Sequence, residues 1–378
     1  MATDHRVGYV YDDRYLHHNT GMQMMFGSGN PYPFVEPTLH PSNHRLVMRT
    51  QQLVHLSGLA QHLEPVDAYA APVEAITAYH TPEYVAFVKE LCANGGGETG
   101  LGAPASPESY DVALLGAGGG MAAVDAVMEG RVKRAFANIR PPGHHAVADK
   151  GMGFCIFNNV VVAAHHAMNA HGLERVLILD WDVHDGNGTQ DAFYGNPKVL
   201  FYSLHQDRLF PQDKGLLDQT GEGAGAGFTV NLPLPAGSGD PTYRAAFDEI
   251  VIPIADEFKP QLVLVSAGQD ASVHDPLGRM CLTTAGYRDL TQRMIDIAER
   301  NCDGKIVILQ EGGYSETYAP YCTLAIIETL AGVRTGIEEP MAVERMSVQP
   351  HHSVVGLDAR AALDAIRAQH AQHWSALA

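Results

Sequence analysis

The stretch that most constrains the fold is Val176 to Gln190, which reads VLILDWDVHDGNGTQ. Its first four residues are apolar, as in a strand that is buried on both faces of a parallel sheet. Asp180, Asp182 and His184 follow at alternate positions, which predicts that their side chains share one side of an extended chain. A single carboxylate would be enough to cap the next helix, so two carboxylates beside an imidazole favour a metal site at the end of the strand.

Two other apolar segments also run into polar groups. QLVLVSA (residues 261–267) leads to Asp270, and KIVILQ (residues 305–310) leads to a Glu-Gly-Gly turn and Tyr314. Such strands alternate with helical stretches, which predicts an α/β fold with a central, mostly parallel β-sheet flanked by helices on both faces. Because open α/β sheets bind ligands at the carboxyl ends of their strands, we expect these side chains to meet in one site.

A pair of adjacent histidines follows another predicted strand, RAFANI (residues 134–139). A Pro-Pro-Gly turn separates this strand from the histidines. It stiffens the backbone and would aim the imidazoles of His144 and His145. We therefore interpret this pair as functional. His165-His166 within a predicted helix and His351-His352 in the tail are interpreted as accidental neighbours.

Length and composition set the class of protein. The chain has 378 residues, 46% of them hydrophobic, and we expect one domain over residues 1–378. A rim loop at about 12–41 and a helical tail at about 344–378 are predicted at its ends. The rim loop holds side chains that either roof a pocket or anchor a surface loop, namely Tyr15, His17, His18, Met24, Phe26 and Phe34. No leader or apolar span stands out, so a cytoplasmic protein without membrane association is expected.

Several functions are excluded by what the sequence lacks. The net charge is -18 and no Lys/Arg run forms a phosphate-binding face, so we expect no nucleic-acid binding. The five cysteines form no C-x-x-C pair, which argues against a disulfide framework and a cysteine zinc site. The GAGGG run at residues 116–120 does not follow an apolar strand, so we interpret it as close packing of a helix against the sheet rather than as a dinucleotide loop.

The chemistry of the predicted site follows from its ligands. Asp182, His184 and Asp270 supply three ligands and leave a fourth position open, which is the arrangement of a catalytic Zn²⁺ site; iron(II) or cobalt(II) would also suit these ligands. Because two carboxylates neutralise the dication, a separate base is needed, and His144 and His145 fit that need.

Three more side chains support this chemistry. Asp180 would accept a hydrogen bond from His144 and fix its tautomer, and Asn187 is a weaker candidate to hold His145. Tyr314 could donate a hydrogen bond to the oxyanion when a carbonyl is attacked, although a buried structural tyrosine is an equal alternative.

Together these motifs resemble the histone deacetylase superfamily, which includes acetoin-utilisation proteins, acetylpolyamine amidohydrolases and bacterial histone deacetylase-like amidohydrolases. The matching pieces occur in family order between residues 140 and 314 and read RPPGHHA, GFCIFNN, ILDWDVHDGNGTQDAF, SLH, LFP, AGQDASVHDPL and QEGGY. The resemblance implies a single arginase-like α/β domain and zinc-dependent removal of an acyl group from acetyl-lysine or a small acylated amine.

The resemblance also implies further site residues and partners. A substrate tunnel and its rim would be formed by Phe154, Phe210, Gly153 and Leu277. A structural K⁺ would bind oxygens of Asp180, Asp182, His184, Ser203 and Leu204. A homo-oligomer, dimer or tetramer, is expected because bacterial relatives often assemble in this way.

Three positions depart from the family pattern. Asp185 stands where relatives usually have a second histidine, and Gln269 stands where Phe or Ala is common. We expect Asp185 to point away from the metal and to make the local potential more negative. Leu277 replaces the glutamate of a polyamine deacetylase type, which weakens the prediction of a cationic polyamine substrate.

Two alternative functions fit the sequence less well than amide hydrolysis. A non-catalytic acyl-group binder or metabolic regulator would be expected to lose a ligand, the histidine pair or the tyrosine, and all of them are present. An arginase-type ureohydrolase needs further carboxylates where this chain has Gly186 and Ser272, so its second metal would have no ligands.

Overall fold

Fourteen strands form in the computed structural model, which describes residues 7–23, 36–339 and 354–378. They are β1 (Val7–Val10), β2 (Met22–Gln23), β3 (Thr38–Leu39), β4 (Leu63–Val66), β5 (Gly97–Glu98), β6 (Gly100–Leu101), β7 (Pro104–Ala105), β8 (Arg134–Ala137), β9 (Gly151–Met152), β10 (Val176–Asp180), β11 (Val199–Gln206), β12 (Thr229–Leu234), β13 (Leu262–Ala267) and β14 (Ile306–Gln310). Eight of them form one parallel sheet in the order β12-β11-β10-β13-β14-β8-β1-β4. The predicted α/β architecture is confirmed.

Helices cover both faces of this sheet. They are α1 (Arg45–Leu56), α2 (Val73–Ile76), α3 (Pro82–Ala93), α4 (Ser109–Met128), α5 (Asn159–His171), α6 (Asn187–Phe193), α7 (Asp240–Ala246), α8 (Ile252–Phe258), α9 (Thr284–Cys302), α10 (Ala319–Ala331) and α11 (Leu357–His370). Strand alternation divides the apolar side chains between two cores. In β10, Leu177 and Leu179 belong to one core, and Val176 and Ile178 belong to the other.

The structure corrects two local predictions. The sequence pattern of residues 75–79 predicts a short strand, but these residues instead include the end of helix α2 and a turn. The sequence pattern of residues 44–63 predicts one helix, but α1 ends at Leu56, and β4 begins at Leu63 and pairs in parallel with β1. β4 lies at the sheet edge and contains Pro65, which an edge strand tolerates. Pairing with β1 creates this strand, which is too short to show a clear pattern in the sequence.

Helix α4 packs unusually close to its neighbours. A Cβ at Gly120 would lie 2.9 Å from Leu309 of the sheet, and a Cβ at Gly118 would overlap the carbonyl oxygen of Tyr69. In the part of the chain that the structure describes, α4 is the one helix long and apolar enough to cross a membrane, but 78% of the relevant segment is buried inside the domain. Helices in the cores of globular domains can be equally long and apolar, and α4 is packed as such a core helix.

The two ends of the chain contact the domain through specific bonds. In the rim loop, the Tyr15 hydroxyl donates to Leu115 O at 3.3 Å, and His18 Nδ1 lies 2.7 Å from Ser109 Oγ, which ties the loop to α4. His17 is exposed. In the tail, Trp374 Nε1 donates to Gly227 O at 2.9 Å after α11. Met24, Phe26, Phe34 and the His351-His352 pair lie outside the described residues.

Candidate active site

Strand β10 ends at Asp180, so Asp182 and His184 do not lie on a continued strand as the alternating pattern predicted. Short turns fix them instead, because the Asp182 N–H donates to Asp180 Oδ1 and the His184 N–H donates to Asp182 Oδ1, both at 3.0 Å. Aspartate side chains compete for backbone N–H groups in this way and break regular strand pairing. The turns still direct the three side chains into one site.

The three predicted zinc ligands lie together at the ends of β10 and β13. His184 Nδ1 is 3.0 Å from Asp182 Oδ1 and 3.2 Å from Asp270 Oδ2. Asp270 Oδ1 accepts from the Val183 N–H at 2.8 Å, so Oδ2, the oxygen that faces His184, is the one left for a metal ion. One nitrogen and two carboxylate oxygens, buried and converging within 4.8 Å of one another, fit a divalent metal ion.

The electrostatics of these ligands favour a bound cation. Burial, together with the charge of Asp182, raises the pKa of Asp270. Burial alone would lower the pKa of His184, but hydrogen bonds to the carboxylates of Asp182 and Asp270 reverse this and raise it to about 10. The carboxylates of Asp182 and Asp270 are buried, and their ligand oxygens lie within 4.8 Å of each other. Two such carboxylates repel each other when both are charged, and a dication between them would remove that repulsion.

Two glycines leave room for this cluster. A Cβ at Gly312 would lie 2.7 Å from Asp182 Oδ2 and 3.0 Å from the Tyr314 hydroxyl, and one at Gly268 would lie 2.5 Å from Asp182 Cγ. Real Cβ atoms essentially never approach other atoms this closely. The Gly312 N–H also donates to Asp182 Oδ2 at 3.0 Å. Gly268 after β13 and Gly312 after β14 are therefore required, because any larger side chain would collide with the metal ligands.

The histidine pair stands beside the metal ligands. His144 Nδ1 lies 2.8 Å from Asp180 Oδ2, His145 Nδ1 lies 2.7 Å from Asn187 Oδ1, and the two ring centroids are 4.0 Å apart. Because the Asn187 amide nitrogen donates to His145 O at 3.2 Å, its oxygen faces the ring and His145 Nδ1 must be the donor. The lone pair of His145 is therefore on Nε2.

The surroundings of the two imidazoles shift their pKa values in opposite directions. Burial opposes a charge on His144, but the charges of Asp182 and Asp180 outweigh it and hold the pKa well above its usual value. Burial and the neighbouring charges of His144 and His184 hold the pKa of His145 well below its usual value. Neighbouring groups whose pKa values are pushed apart are typical of acid–base pairs.

Tyr314 and the predicted tunnel residues surround this pair. The ring of Phe154 lies 5.7 Å from that of Tyr314, and the ring of Phe210 lies 5.1 Å from that of His145, both edge to face. Gly153 lies between His145 and Phe210, since a Cβ there would lie 3.0 Å from Phe210 Cε1. Burial raises the pKa of Tyr314 well above its usual value, so its hydroxyl remains a donor.

Two acidic residues of the site were not identified from the sequence. Glu311 Oε2 accepts from the Gly143 and His144 N–H groups at 2.6 and 3.2 Å and so fixes the histidine turn. Asp275 Oδ2 accepts from the Tyr314 N–H at 2.7 Å, and its Oδ1 accepts from the N–H of Leu277, which is half-buried, at 2.8 Å. The available signals were a glutamate directly after an apolar strand and an aspartate directly before proline.

Two of the three departures from the family pattern, Asp185 and Gln269, lie outside the group of three metal ligands. The Asp185 carboxylate is outside the group of three ligands and lies 3.8 Å from His205 Nδ1, which in turn lies 2.8 Å from Ser203 Oγ. Asp180 and Ser203 are aligned partners on β10 and β11, with Leu204 next in the strand. Gln269 accepts from the Gln310 side chain at 2.6 Å.

The geometry does not favour a ureohydrolase with two metals. A Cβ at Gly186 would overlap Asp180 Oδ2, so this position has no room for the further carboxylate that a second metal needs. Ser272 at the other position offers a hydroxyl in place of a carboxylate. All groups that a non-catalytic binder would be expected to lose are present and in contact.

Comparisons with known proteins identify the family to which the chain is similar. The family model of the histone deacetylase domain matches residues 40–330. The chain is 41% identical over 342 residues to a histone deacetylase-like amidohydrolase of Pseudomonas aeruginosa, with 89% of each chain covered. It is 39% identical over 338 residues to a probable deacetylase of Archaeoglobus fulgidus, covering 88% of this chain and 89% of that protein.

A solved structure extends the likeness to the whole fold. The crystal structure of the HDA15 HD domain aligns with a TM-score of 0.84 and 31% identity, covering 98% of this chain and 97% of that one. The family match spans well over half of the chain, and the relatives that it resembles are named as deacetylases and amidohydrolases. The chain belongs to the histone deacetylase family.

Proposed function

We propose that this protein is a zinc-dependent amidohydrolase that removes an acetyl-type acyl group from acetyl-lysine or a small acylated amine. The observation that carries the proposal is the convergence of Asp182, His184 and Asp270 beside the His144–His145 pair. The family supports deacetylase chemistry, and the two buried carboxylates that converge on His184 support a cation among these ligands. Zinc held there would act as a Lewis acid towards the amide carbonyl and the attacking water.

The protein's own groups would move the protons. His145, whose Nδ1 donates to Asn187, presents a free Nε2 lone pair and would take the proton of the attacking water. His144, hydrogen-bonded to the Asp180 carboxylate, is stabilised in its charged form and would give a proton to the leaving amine. The Tyr314 hydroxyl would donate to the oxygen that becomes negative during attack.

The approach to the site supports a narrow, uncharged chain as substrate. Phe154 and Phe210 flank the histidine pair and Tyr314, and Gly153 keeps the space between Phe210 and His145 open. Aromatic walls suit the methylene chain of an acylated lysine or amine. Leu277 adds no charge on the turn after Asp275, which favours acyl-lysine over a polycationic amine.

The test is a panel of amides hydrolysed by the zinc-loaded protein: an acetyl-lysine peptide, a trifluoroacetyl-lysine peptide, acetylputrescine and a plain aryl amide. We expect selective turnover of the lysine peptides. Tyr314→Phe should lower kcat by about 10² to 10³, since it removes one oxyanion donor. His145→Ala should lower kcat by about 10² to 10⁴, since it removes the base.

Matched controls separate chemistry from folding. Tyr321→Phe on α10 and His62→Ala at an exposed position make the same changes away from the site and should leave kcat unchanged. Zinc content is measured in every variant. Full zinc occupancy with no turnover of any amide would contradict the proposal, and so would a Tyr314→Phe variant as active as the parent.

Two further properties are proposed from the resemblance. A structural K⁺ would bind near Asp180, Ser203 and Leu204, together with Asp182 and His184, and should raise the melting temperature when KCl replaces choline chloride. Assembly into a dimer or tetramer should give two or four times the 40.8 kDa chain mass in light scattering. Equal melting temperatures in both salts, or a monomeric mass, would contradict the respective proposal.

A further inference from the structure

A second cluster of metal-type ligands lies on the helical layer outside the active site. Asp125 of α4 contacts two histidines of α5, with His166 Nε2 at 2.6 Å and His171 Nε2 at 2.9 Å from the same oxygen, Oδ1. The two rings are nearly perpendicular, at 89°. The Tyr69 hydroxyl donates to the other carboxylate oxygen, Oδ2, at 3.1 Å and so orients the carboxylate.

This geometry differs from that of an ordinary histidine–aspartate pair. Two imidazole nitrogens from different turns of one helix converge on a single carboxylate oxygen, and the three ligand atoms lie within 4.8 Å of one another. Ligands around zinc, with bonds of about 2.1 Å, stand about 3.4 Å apart in tetrahedral geometry. Movements of less than 1 Å at His166 and His171 would admit an ion between the three atoms. The side chains are 17%, 19% and 23% exposed, so an ion can enter and solvent can complete its coordination.

The position in the fold also favours a cation. Helices α4 and α5 run parallel, since Gly120 of α4 lies against Ala163 of α5 while Asp125 reaches the end of α5. Asp125 lies in the last turn of α4 and His171 is the last residue of α5. The carbonyl ends of both helices carry partial negative charge, which attracts a positive ion.

The cluster is separate from the catalytic centre. Helix α5 begins beside the histidine turn, where the Asn158 side chain donates to His144 O, and it has 13 residues. At 1.5 Å per residue, His171 lies roughly 18 Å along the helix from that end. An ion at the cluster would therefore link α4 to α5 and would take no part in amide hydrolysis.

We propose that Asp125, His166 and His171 form a second metal site, which binds a zinc-class transition-metal ion and fastens the ends of α4 and α5 together. The two imidazoles suit Zn²⁺ and Ni²⁺ and disfavour Mg²⁺, which prefers a coordination shell of oxygen atoms. Each neutral imidazole moves its proton from Nε2 to Nδ1 and binds the ion through Nε2, so no net proton is released. The ion replaces the two hydrogen bonds to Asp125 Oδ1.

The experiment titrates the full-length protein, already loaded with one equivalent of zinc, with additional Zn²⁺ and with Mg²⁺. We expect a second equivalent of Zn²⁺ to bind and to raise the melting temperature, whereas Mg²⁺ should not. His166→Ala and His171→Gln should weaken this second binding by at least about tenfold, since each removes a ligand. His171→Gln keeps a side-chain N–H for Asp125, so the fold should be retained. His62→Ala, at an exposed position, is the control and should behave like the parent.

The result does not depend on the proposed catalysis. Asp270→Asn alters the catalytic ligands, and in this variant the equivalent that depends on His171 should still bind. The proposal is overturned if the parent takes up a single equivalent, or if the second equivalent binds His166→Ala and His171→Gln with unchanged affinity.

Discussion

The carboxylate of Asp185 is the side chain whose environment is hardest to reconcile with a charge. It is buried beside Ser203 and His205, neither of its oxygens has a hydrogen-bond partner within the described ranges, and burial raises its pKa to about 7. A buried carboxylate without full compensation destabilises a fold.

Asp185→Asn is therefore expected to raise the melting temperature, since it keeps the shape of the side chain and removes the charge. For a gain of about 1 kcal/mol the rise in a chain of this length would be about 1 °C. Zinc content should not change, because Asp185 lies outside the group of three ligands. Thermal unfolding measures this, with Asp149→Asn at an exposed position as the control. A lower melting temperature would show instead that the carboxylate stabilises the fold.

At the scale of single elements, helix α4 depends on glycines that its helical propensity alone would disfavour. A Cβ at Gly116 would lie 3.3 Å from Arg140 O, a distance that small shifts can relieve, whereas one at Gly118 would overlap backbone at Tyr69. Alanine in a helix interior is favoured over glycine by about 1 kcal/mol, so the two sites separate propensity from packing.

Gly118→Ala is expected to lower the free energy of unfolding by about 2 kcal/mol or more, because backbone must move to admit the methyl group. Gly116→Ala, two residues earlier in the same helix, should change it by less than about 1 kcal/mol. Urea unfolding of both variants measures the difference. If the two variants are equally stable, the backbone near Tyr69 can move to admit the methyl group without loss of stability.

The same elements show what a sequence can predict. β10, β13 and β14 were predicted because buried parallel strands are apolar throughout, and polar residues after them mark the edge where ligands bind. β4 was missed, since its pairing with β1 is decided by tertiary structure. Glu311 and Asp275 were missed for a related reason: both accept from backbone N–H groups of other turns, which only the fold brings near.

The adjacent histidine pairs also show which contacts a sequence can and cannot predict. His144 and His145 were identified because a proline turn restricts the backbone before them. His165-His166 were interpreted as accidental neighbours, and the structure separates them: His165 packs against Phe193, whereas His166 contacts Asp125. His171, five residues along, completes that cluster because its Nε2 contacts the same carboxylate oxygen of Asp125. The spacing alone does not reveal this convergence.

At the scale of the whole molecule, burial of neutral histidines makes stability depend on pH. Burial lowers the pKa of His80 and of His370 to about 4, from 6.5 in the unfolded chain. Below pH 6.5 the unfolded chain therefore binds protons that the native protein does not, and stability falls as the pH falls towards 4. Neither ring nitrogen of His370 has a hydrogen-bond partner in the described part of the chain, so its imidazole gains little from being buried.

His370→Leu is expected to reduce this acid sensitivity. One pKa unit corresponds to about 1.4 kcal/mol, so between pH 6.5 and 5 the parent should lose up to about 2 kcal/mol through His370 alone, and the variant should lose that much less. Urea unfolding at pH 7.5 and pH 5.0 measures the loss in each protein, with His62→Leu at an exposed position as the control. If the parent and His370→Leu lose equal stability between these pH values, His370 is protonated without cost in the native state. In that case, acid sensitivity must arise from other buried histidines such as His80, whose Nε2 accepts from the Asn158 N–H at the start of α5.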